Sequence, residues 1–224
     1  MENENIIIKT LREIPAQCLK VITQPVVFFK EMPKTGGFLE PLIFMIILGI
    51  VTSFLRIILA VFGFGISKAL IILLSTLIIT PIIIAIFGFI VAGILYIIWN
   101  IMGSKEDYET AYRCCAYIAA ISPITTLLSI IPYLGTIASS LWVLYLLVII
   151  SKEVHTLLEK KAWIVFGIIL SLLCVLSLSA QIASRRFLKS AQNWQNDFEE
   201  MTPEEKGKAL GNFFKGMEEG SKNQ

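Results

Sequence analysis

Cysteine and histidine are the side chains best able to bind a metal or to act as nucleophile and base, and this sequence has few of them. The cysteines are Cys18, Cys114, Cys115 and Cys174, and the single histidine is His155. A zinc site needs three or four such ligands close together, and no Cys-x-x-Cys pair is present to begin one. We therefore expect no metal and no cofactor, and interpret the adjacent Cys114 and Cys115 as reduced, partly buried thiols.

Catalysis by other side chains also lacks support. A serine nucleophile needs a base within hydrogen-bond reach, whereas His155 lies in a charged segment between two long apolar runs. The sequence contains no glycine-rich phosphate-binding loop. The apolar runs contain no Asp, Glu or His, the residues that ion-coupled transporters keep near mid-membrane. The sequence thus favours a protein that is not an enzyme.

The elements that carry these residues are predicted to be membrane-spanning helices. The chain is 56% hydrophobic and only 16% charged, whereas a typical soluble domain is about one quarter charged. So little charge cannot cover a soluble protein of this size. The apolar residues also come in runs of about 20, the length that spans a bilayer. We predict an all-α, polytopic transmembrane helix bundle with five spans, at about 41–62, 76–99, 111–130, 135–150 and 162–180.

Polar segments flank the predicted transmembrane domain, residues 40–180. In segment 1–39, apolar residues recur at spacings of three and four, which predicts an amphipathic helix, kinked or restarted near Pro15. These residues are Ile7, Leu11, Ile14, Cys18 and Ile22. Such a helix either lies in the membrane interface or packs on the cytoplasmic ends of the bundle. The polar tail, residues 181–224, is expected to be helical and surface-associated, or partly disordered.

The distribution of lysine and arginine predicts a cytoplasmic N-terminus, because cytoplasmic loops carry an excess of both. In that orientation the outer loops carry only Lys68. Five spans then put the tail outside, although it begins with Arg185 and Arg186. A sixth span within the uncharged stretch 69–101 would return the tail to the cytoplasm. We favour five spans, since that stretch is short for two spans and a turn.

Arg56 interrupts the first predicted span and has two interpretations. It could line a water-filled path together with Pro81 and Pro123, which would indicate a small-solute channel or transporter subunit. The alternative is that its long side chain reaches the headgroups, because Arg56 lies nearer the far end of the span. We favour the second interpretation.

Several short motifs follow one another along residues 24–180. The first is Pro25-x-x-Phe28-Phe29-x-x-Met32, which precedes Gly37 and the first span. The later ones are Gly103 before a polar loop, Tyr108, Tyr112 and Arg113, Ala116-Tyr117, Pro123, the Ile-Pro-Tyr-Leu-Gly run 131–135, Trp142, Lys152-Glu153-Val154-His155 and Lys161-Ala162. In this order and spacing they resemble the YIP family, the Rab-interacting multi-pass membrane proteins and their prokaryotic relatives.

The resemblance implies five spans and a cytoplasmic N-terminus. Eukaryotic members act in vesicle traffic between endoplasmic reticulum and Golgi. This chain departs from them in its short N-terminal arm and its long tail, so we identify it as a prokaryotic-type member. The expected location is the cell membrane, or the endoplasmic reticulum or Golgi membrane for a eukaryotic source.

These observations lead to one functional hypothesis and one alternative. The hypothesis is a non-enzymatic membrane scaffold or adaptor that binds protein or lipid at its cytoplasmic face, formed by the N-terminal helix, the 103–113 loop and the 151–161 loop. The candidate binding cluster on that face is Tyr108, Tyr112, Arg113, Glu153 and His155. Expected partners are the lipid bilayer and other membrane proteins or further copies of the chain. The net charge of only +2 argues against nucleic acid. The alternative is the small-solute channel or transporter subunit.

Overall fold

A computed structural model describes the backbone of residues 2–64, 66–208, 211–212 and 215. Side chains are described for residues 8, 11–61, 79, 83–84, 86–208, 211–212 and 215. The side chains of Ile7, Lys68 and Pro81, which entered the sequence predictions, lie outside this set. By its internal contacts the chain divides into two compact units, residues 1–175 and residues 176–224.

The described chain is helical, with no strand among its described residues, which confirms the predicted all-α fold. A single 3-10 turn, Ala119–Ile121, lies between the fifth and sixth helices. The helices are α1 Glu2–Thr23, α2 Pro25–Glu31, α3 Leu39–Phe64, α4 Ile66–Met102, α5 Tyr108–Ile118, α6 Ser122–Leu128, α7 Leu134–Glu153 and α8 Glu159–Glu200.

The apolar helices follow the predicted spans in order. Among the described residues, four segments are long and apolar enough to cross a membrane: Leu39–Val61, Tyr108–Leu128, Leu134–Glu153 and a part of Glu159–Glu200. The described part of α4 adds a shorter apolar segment, Ile86–Met102. Because α4 is one continuous helix from Ile66 to Met102, it lacks the turn that a sixth span would need.

The third predicted span is interrupted. Its residues form α5, the 3-10 turn and α6, and Pro123 stands in the first turn of α6. A proline lacks the N–H that would bond to the carbonyl four residues earlier, and its ring crowds that carbonyl. Pro123 therefore accounts for the change from α to 3-10 geometry at Ala119–Ile121, whereas Ser122 itself keeps helical angles, φ −59° and ψ −36°.

The turn from α6 to α7 depends on a glycine. Gly135 is buried, and a Cβ added to it would lie only 2.0 Å from the backbone oxygen of Leu128. Any larger residue would push the two helices apart. The preceding Tyr133 has a positive φ of 64°, in the left-handed region that few side chains adopt. A tight connection between two apolar helices thus rests on this pair of residues.

The N-terminal helices belong to the core of the first unit. Helix α1 continues through Pro15 and packs against α2, α3 and the 3-10 turn. Its buried residues include Ile14 and Val21, and the Cys18 thiol lies 3.3 Å from the backbone oxygen of Ala120. Contact with the bundle is therefore the observed state of α1, and a position in the membrane interface stays a prediction.

Helix α2 anchors the N-terminal segment through the paired phenylalanines of its motif. Phe28 and Phe29 are buried, and the Phe28 ring packs edge to face on Tyr117 of α5 at a centroid distance of 4.9 Å. The same helix packs along α7. Aromatic pairs of this geometry add to the apolar burial, so the motif holds α2 on the bundle.

The second unit, residues 176–224, contains the C-terminal part of α8 and a further helical segment, 203–208. Thr202 begins that segment as a capping box, because its backbone N–H and hydroxyl both bond the Glu205 carboxylate. The Trp194 and Phe198 rings stack, and the Lys206 ammonium lies 5.7 Å from the Phe198 ring centre. The described part of the tail is therefore helical.

Candidate functional site

Polar side chains concentrate where α4 and α7 end and where α3, α5 and α8 begin. We call this region the loop end; its connections are residues 32–38, 103–107 and 154–158. Lys34 joins all three, because its ammonium lies 2.7 Å from the Glu106 carboxylate and 3.1 Å from the backbone oxygen of Val154. Lys161 adds a contact of 2.7 Å to the backbone oxygen of Met102. The three connections therefore form one bonded layer.

Arg113 fastens the first connection to α5. Its side chain is fully buried, and it donates to the Glu40 carboxylate at 2.9 Å and to the Gly37 carbonyl at 3.0 Å. Gly37 donates its own N–H to the Glu109 carboxylate at 2.7 Å. A buried charge is tolerated only when it is paired and hydrogen-bonded. The Arg113 guanidinium thus depends on Glu40 and on the backbone that it holds.

Two glycines allow that backbone to turn towards Arg113. Gly36 and Gly37 have φ values of 131° and 83°, which L side chains rarely adopt. A Cβ on Gly36 would lie 3.4 Å from Nη1 of Arg113, at the near limit of van der Waals contact, so the positive φ is the main reason for glycine here. The Gly-Gly pair therefore lets the chain pass close to a buried guanidinium.

The start of α5 is capped within the same layer. The Asp107 carboxylate accepts from the N–H and the hydroxyl of Thr110, both at 2.8 Å. These hydrogen bonds stabilise the charged form and hold the pKa of Asp107 below its usual value. The Thr110 hydroxyl also lies 3.2 Å from the backbone oxygen of Lys34. Helix capping and loop attachment thus share one side chain.

His155 lies inside the layer. Its ring is 2% exposed and stacks on Trp99 at 4.1 Å, and its Nδ1 lies 2.7 Å from the Ser104 hydroxyl. Trp99 in turn donates its indole N–H to the Ser151 hydroxyl at 2.9 Å. Burial, with a smaller effect of the Lys34 charge, lowers the pKa of His155 to about 4. The imidazole is therefore neutral at physiological pH, and it contributes packing and a hydrogen bond.

The two tyrosines of the predicted cluster face α4. The Tyr108 hydroxyl donates to the Phe89 carbonyl at 2.9 Å. Tyr112 is buried and its ring stacks on that of Phe89 at 4.4 Å. The Tyr112 hydroxyl has no hydrogen-bond partner among the described residues. Both tyrosines therefore hold α5 against α4.

Glu153 differs from the other four candidates because it lines an open cleft. This cleft has a volume of about 210 Å³ and lies between α2, α7 and the start of α8. Its lining includes Val26, Tyr145, Lys152, Glu153 and Trp163. The five predicted residues thus lie at one end of the bundle, with Arg113, Tyr112 and His155 beneath the surface and Glu153 at a cleft.

A second cleft, of about 400 Å³, lies on the side of α2 that faces α1. Charged residues such as Glu13, Lys20 and Glu31 line it together with the aromatic rings of Phe28 and Tyr117. Helix α2 therefore contributes to both clefts. Among the described residues, no group of three or more His, Cys, Asp or Glu side chains could hold a metal ion.

Sequence reasoning missed the partners that give the layer its geometry. The pairs are Lys34 with Glu106, Glu40 with Arg113, and Ser104 with His155. The members of each pair are far apart in the sequence, and only the fold brings them together. Glu40 and Arg113 are 73 positions apart. The one local signal for this site was the Gly36-Gly37 turn near Lys34. Consecutive glycines indicate a backbone with unusual angles or a close approach to another group.

Long apolar helices with a hydrogen-bonded polar layer at one end define a polytopic integral membrane protein. Residues 19–181 match the family model described as the Yip1 domain. The chain therefore belongs to the Yip1 domain family, as its motifs indicated, and that family is not known as enzymatic. The comparison with curated proteins and the comparison with solved structures each gave no match.

Proposed function

We propose that this protein is a non-enzymatic membrane scaffold or adaptor whose loop end receives a partner protein. The observation that carries the proposal is the surface around α2. Val26 and Val27 of this helix are exposed beside Lys30 and Glu31. Helix α2 thus exposes apolar residues between two clefts that are lined by charged and aromatic side chains. This composition is typical of a protein-binding surface.

The bonded layer supports the same proposal, because it holds that surface in one arrangement. Arg113 and His155 are buried below this surface. Arg113 fixes residues 36–40 through its bonds to Gly37 and Glu40. His155 packs under residues 103–107 and bonds to Ser104. Tyr108 and Tyr112 fix the start of α5 against α4. In this proposal Glu153 contacts the partner, and the other four candidate residues position the surface.

The charges of the loop end favour a cytoplasmic orientation. The exposed residues there include Lys30, Lys105, Lys152 and Lys160, whereas the α6–α7 turn at 129–133 carries no lysine or arginine. Cytoplasmic loops show this excess of basic residues. We therefore propose that the loop end lies on the cytoplasmic side of the cell membrane.

Site-specific photocrosslinking tests the proposal. A photoreactive residue at Val26 or Lys105 of the full chain, activated in native membranes, should give a discrete protein adduct. The same residue at Leu172, which is exposed on an apolar part of α8, is the matched control and should give lipid adducts. Glu153→Lys should reduce the Val26 adduct at least about fivefold, in line with the cost of placing a like or unpaired charge at an interface.

Two outcomes would contradict the adaptor proposal. One is a set of adducts at Val26 and Lys105 that contains lipid alone, which would indicate that the loop end binds headgroups. The other is a protein adduct of equal yield at Leu172, which would place partner contact on the helices within the membrane. Glu204→Lys, in the second unit, controls for the charge change itself.

A further inference from the structure

Arg56 is a positive charge on a predicted span, and it has no partner among the described side chains. It lies on α3, its side chain is exposed, and no described residue makes a hydrogen bond or ion pair with it. The buried Arg113, by contrast, is paired with Glu40 at 2.9 Å. An unpaired arginine on a membrane helix is costly unless it reaches a counter-charge or the interface. The described part of the first unit therefore provides a counter-charge for Arg113 and shows none for Arg56.

A cavity of about 370 Å³ lies beside Arg56, between α3, α4 and the α5–α6 segment. We call it the Arg56 groove. On α3 its lining changes in order along the helix, from Met45 and Gly49 through Thr52 and Ser53 to Arg56. On α4 the lining is aliphatic and aromatic, with Ile83, Phe87 and Val91. Met45 and Arg56 are 11 residues apart, which corresponds to about 16 Å along a helix.

The chemistry of this order matches one kind of molecule. The apolar part suits an acyl chain, the hydroxyl groups of Thr52 and Ser53 suit an ester region, and the guanidinium of Arg56 suits a phosphate. The Thr52 and Ser122 hydroxyls lie 2.9 Å apart and already bond each other, so the middle of the groove offers weak polarity and no charge. We propose that the Arg56 groove binds one anionic phospholipid, with its phosphate on Arg56 and one acyl chain along α3.

The depth of Arg56 agrees with a lipid of the leaflet opposite the loop end. Arg56 lies 17 residues after Leu39, the first residue of α3, or about 26 Å along the helix. The hydrocarbon core of a bilayer is about 30 Å thick. An arginine side chain at that depth reaches the far headgroups by extending along the helix. The acyl chain would then run back towards the loop end, where Gly49 and Met45 lie.

A water-filled path explains the same groove less well. Its α4 wall has no described side chain with a hydrogen-bonding group among Ile83, Ile84, Phe87 and Val91. Water in a cavity needs two to four polar partners, and the groove offers them only around Thr52, Ser53, Arg56 and Ser122, not along its α4 wall. An acyl chain needs none, and it buries the apolar lining. The groove therefore favours an amphiphile over the small-solute path that the sequence left as an alternative.

Native mass spectrometry of the full chain in a mild neutral detergent tests the proposal. The probes are phosphatidylglycerol and phosphatidylcholine with identical acyl chains. The wild-type protein should retain one phosphatidylglycerol with an affinity roughly tenfold above that for phosphatidylcholine, as a single charge-assisted contact provides. Arg56→Gln should abolish this preference, and Arg56→Lys should keep most of it.

Two further variants separate the groove from general surface charge. Lys189→Gln removes one exposed charge in the second unit and should leave the preference unchanged. Val91→Trp fills the groove from the α4 side and should weaken retention of both lipids, with Arg56 intact. Helical content, measured by circular dichroism, should match the wild type in every variant.

Three results would overturn the proposal. Equal phosphatidylglycerol preference in wild type and Arg56→Gln would remove Arg56 from the site. Displacement of the lipid by soluble glycerol phosphate at equal concentration would assign the site to phosphate alone. A thiol introduced at Val91 of a cysteine-free chain that reacts with a membrane-impermeant reagent in phosphatidylglycerol bilayers would indicate a water-filled path.

Discussion

At the scale of single residues, two arginines on membrane helices differ in burial and in hydrogen bonding. Arg113 is buried and depends on Glu40 and the Gly37 carbonyl. Arg56 is exposed beside a groove and has no described partner. Because an ionised group on an apolar helix must find compensation, the first is a structural group and the second is the better candidate for a ligand.

Removing the Arg113 charge should destabilise the first unit. Arg113→Ala leaves the Glu40 carboxylate half-buried without its partner and frees the Gly37 carbonyl, so we expect a loss of roughly 3 kcal/mol in the free energy of unfolding. Thermal unfolding in detergent, followed by circular dichroism, measures the change. Lys152→Ala breaks the exposed pair with Glu159 and should have a much smaller effect, because solvent screens an exposed ion pair. Equal losses of stability in the two variants would show that the buried Arg113–Glu40 pair contributes no more than an exposed ion pair.

His155 should make stability depend on pH between about 4 and 6.5. Its pKa is about 4 in the folded protein, below the ordinary value of 6.5, so the unfolded chain binds the extra proton in this interval. Stability is therefore full above pH 6.5 and falls as the pH drops towards 4, by up to about 3 kcal/mol.

The difference between wild type and His155→Gln isolates this effect, because Asp107 and the other carboxyl groups titrate in both proteins. Thermal unfolding of both chains between pH 4 and pH 7 should show a steeper decline for the wild type. Parallel curves would mean that the imidazole is charged in the folded protein or is not buried there.

At the scale of elements, two short signals decide how the helices connect. The Ser122-Pro123 pair interrupts the third span, and Gly135 lets α7 begin against the end of α6. Both act through backbone geometry, so their effects can be separated from those of the polar layer.

Gly135→Ala should disrupt the α6–α7 connection, because its Cβ would lie 2.0 Å from the Leu128 oxygen. We expect a loss of at least about 1–3 kcal/mol, as overpacking causes. Gly167→Ala is the matched control: no atom lies within 4 Å of its added Cβ, so it should be neutral or stabilising by up to about 1 kcal/mol. Thermal unfolding of the two variants side by side checks the prediction, and a stable Gly135→Ala protein would contradict it.

At the scale of the whole first unit, the loop end collects three connections that are far apart in sequence. Lys34 bonds to Glu106 and to Val154, which requires residues 32–38, 103–107 and 154–158 to lie on one side of the membrane. The turn at 129–133 belongs to the opposite ends of α6 and α7. The arrangement makes a topological prediction that needs no knowledge of partner or lipid.

Single cysteines in a cysteine-free chain test that prediction. Lys105→Cys and Lys160→Cys are exposed at the loop end, whereas Ile131→Cys is exposed at the other end. A membrane-impermeant thiol reagent added to one side of sealed vesicles should label the first two together, and Ile131→Cys should react only from the opposite side. Labelling of Lys105→Cys and Lys160→Cys from different sides would refute the loop end as described.

The amino-acid sequence by itself determined the membrane class, the all-helical fold and the order of the spans. Long uncharged runs can satisfy their backbone hydrogen bonds inside hydrocarbon only as helices, so composition and run length suffice. The family followed from short motifs in order, such as the Phe28-Phe29 pair and the 152–155 run, and the match over residues 19–181 confirms it. These signals are local, and each can be read without knowing what it contacts.

Only the tertiary structure decided what the polar residues contact. Arg113, Tyr112 and His155 were predicted as binding residues on a surface, and the fold buries all three. Glu40 and Ser104, the hydrogen-bond partners of Arg113 and His155, lie 73 and 51 positions away from them. Desolvation and pairing of a charge depend on neighbours that three-dimensional packing brings together, and helical periodicity carries no information about contacts at such separations.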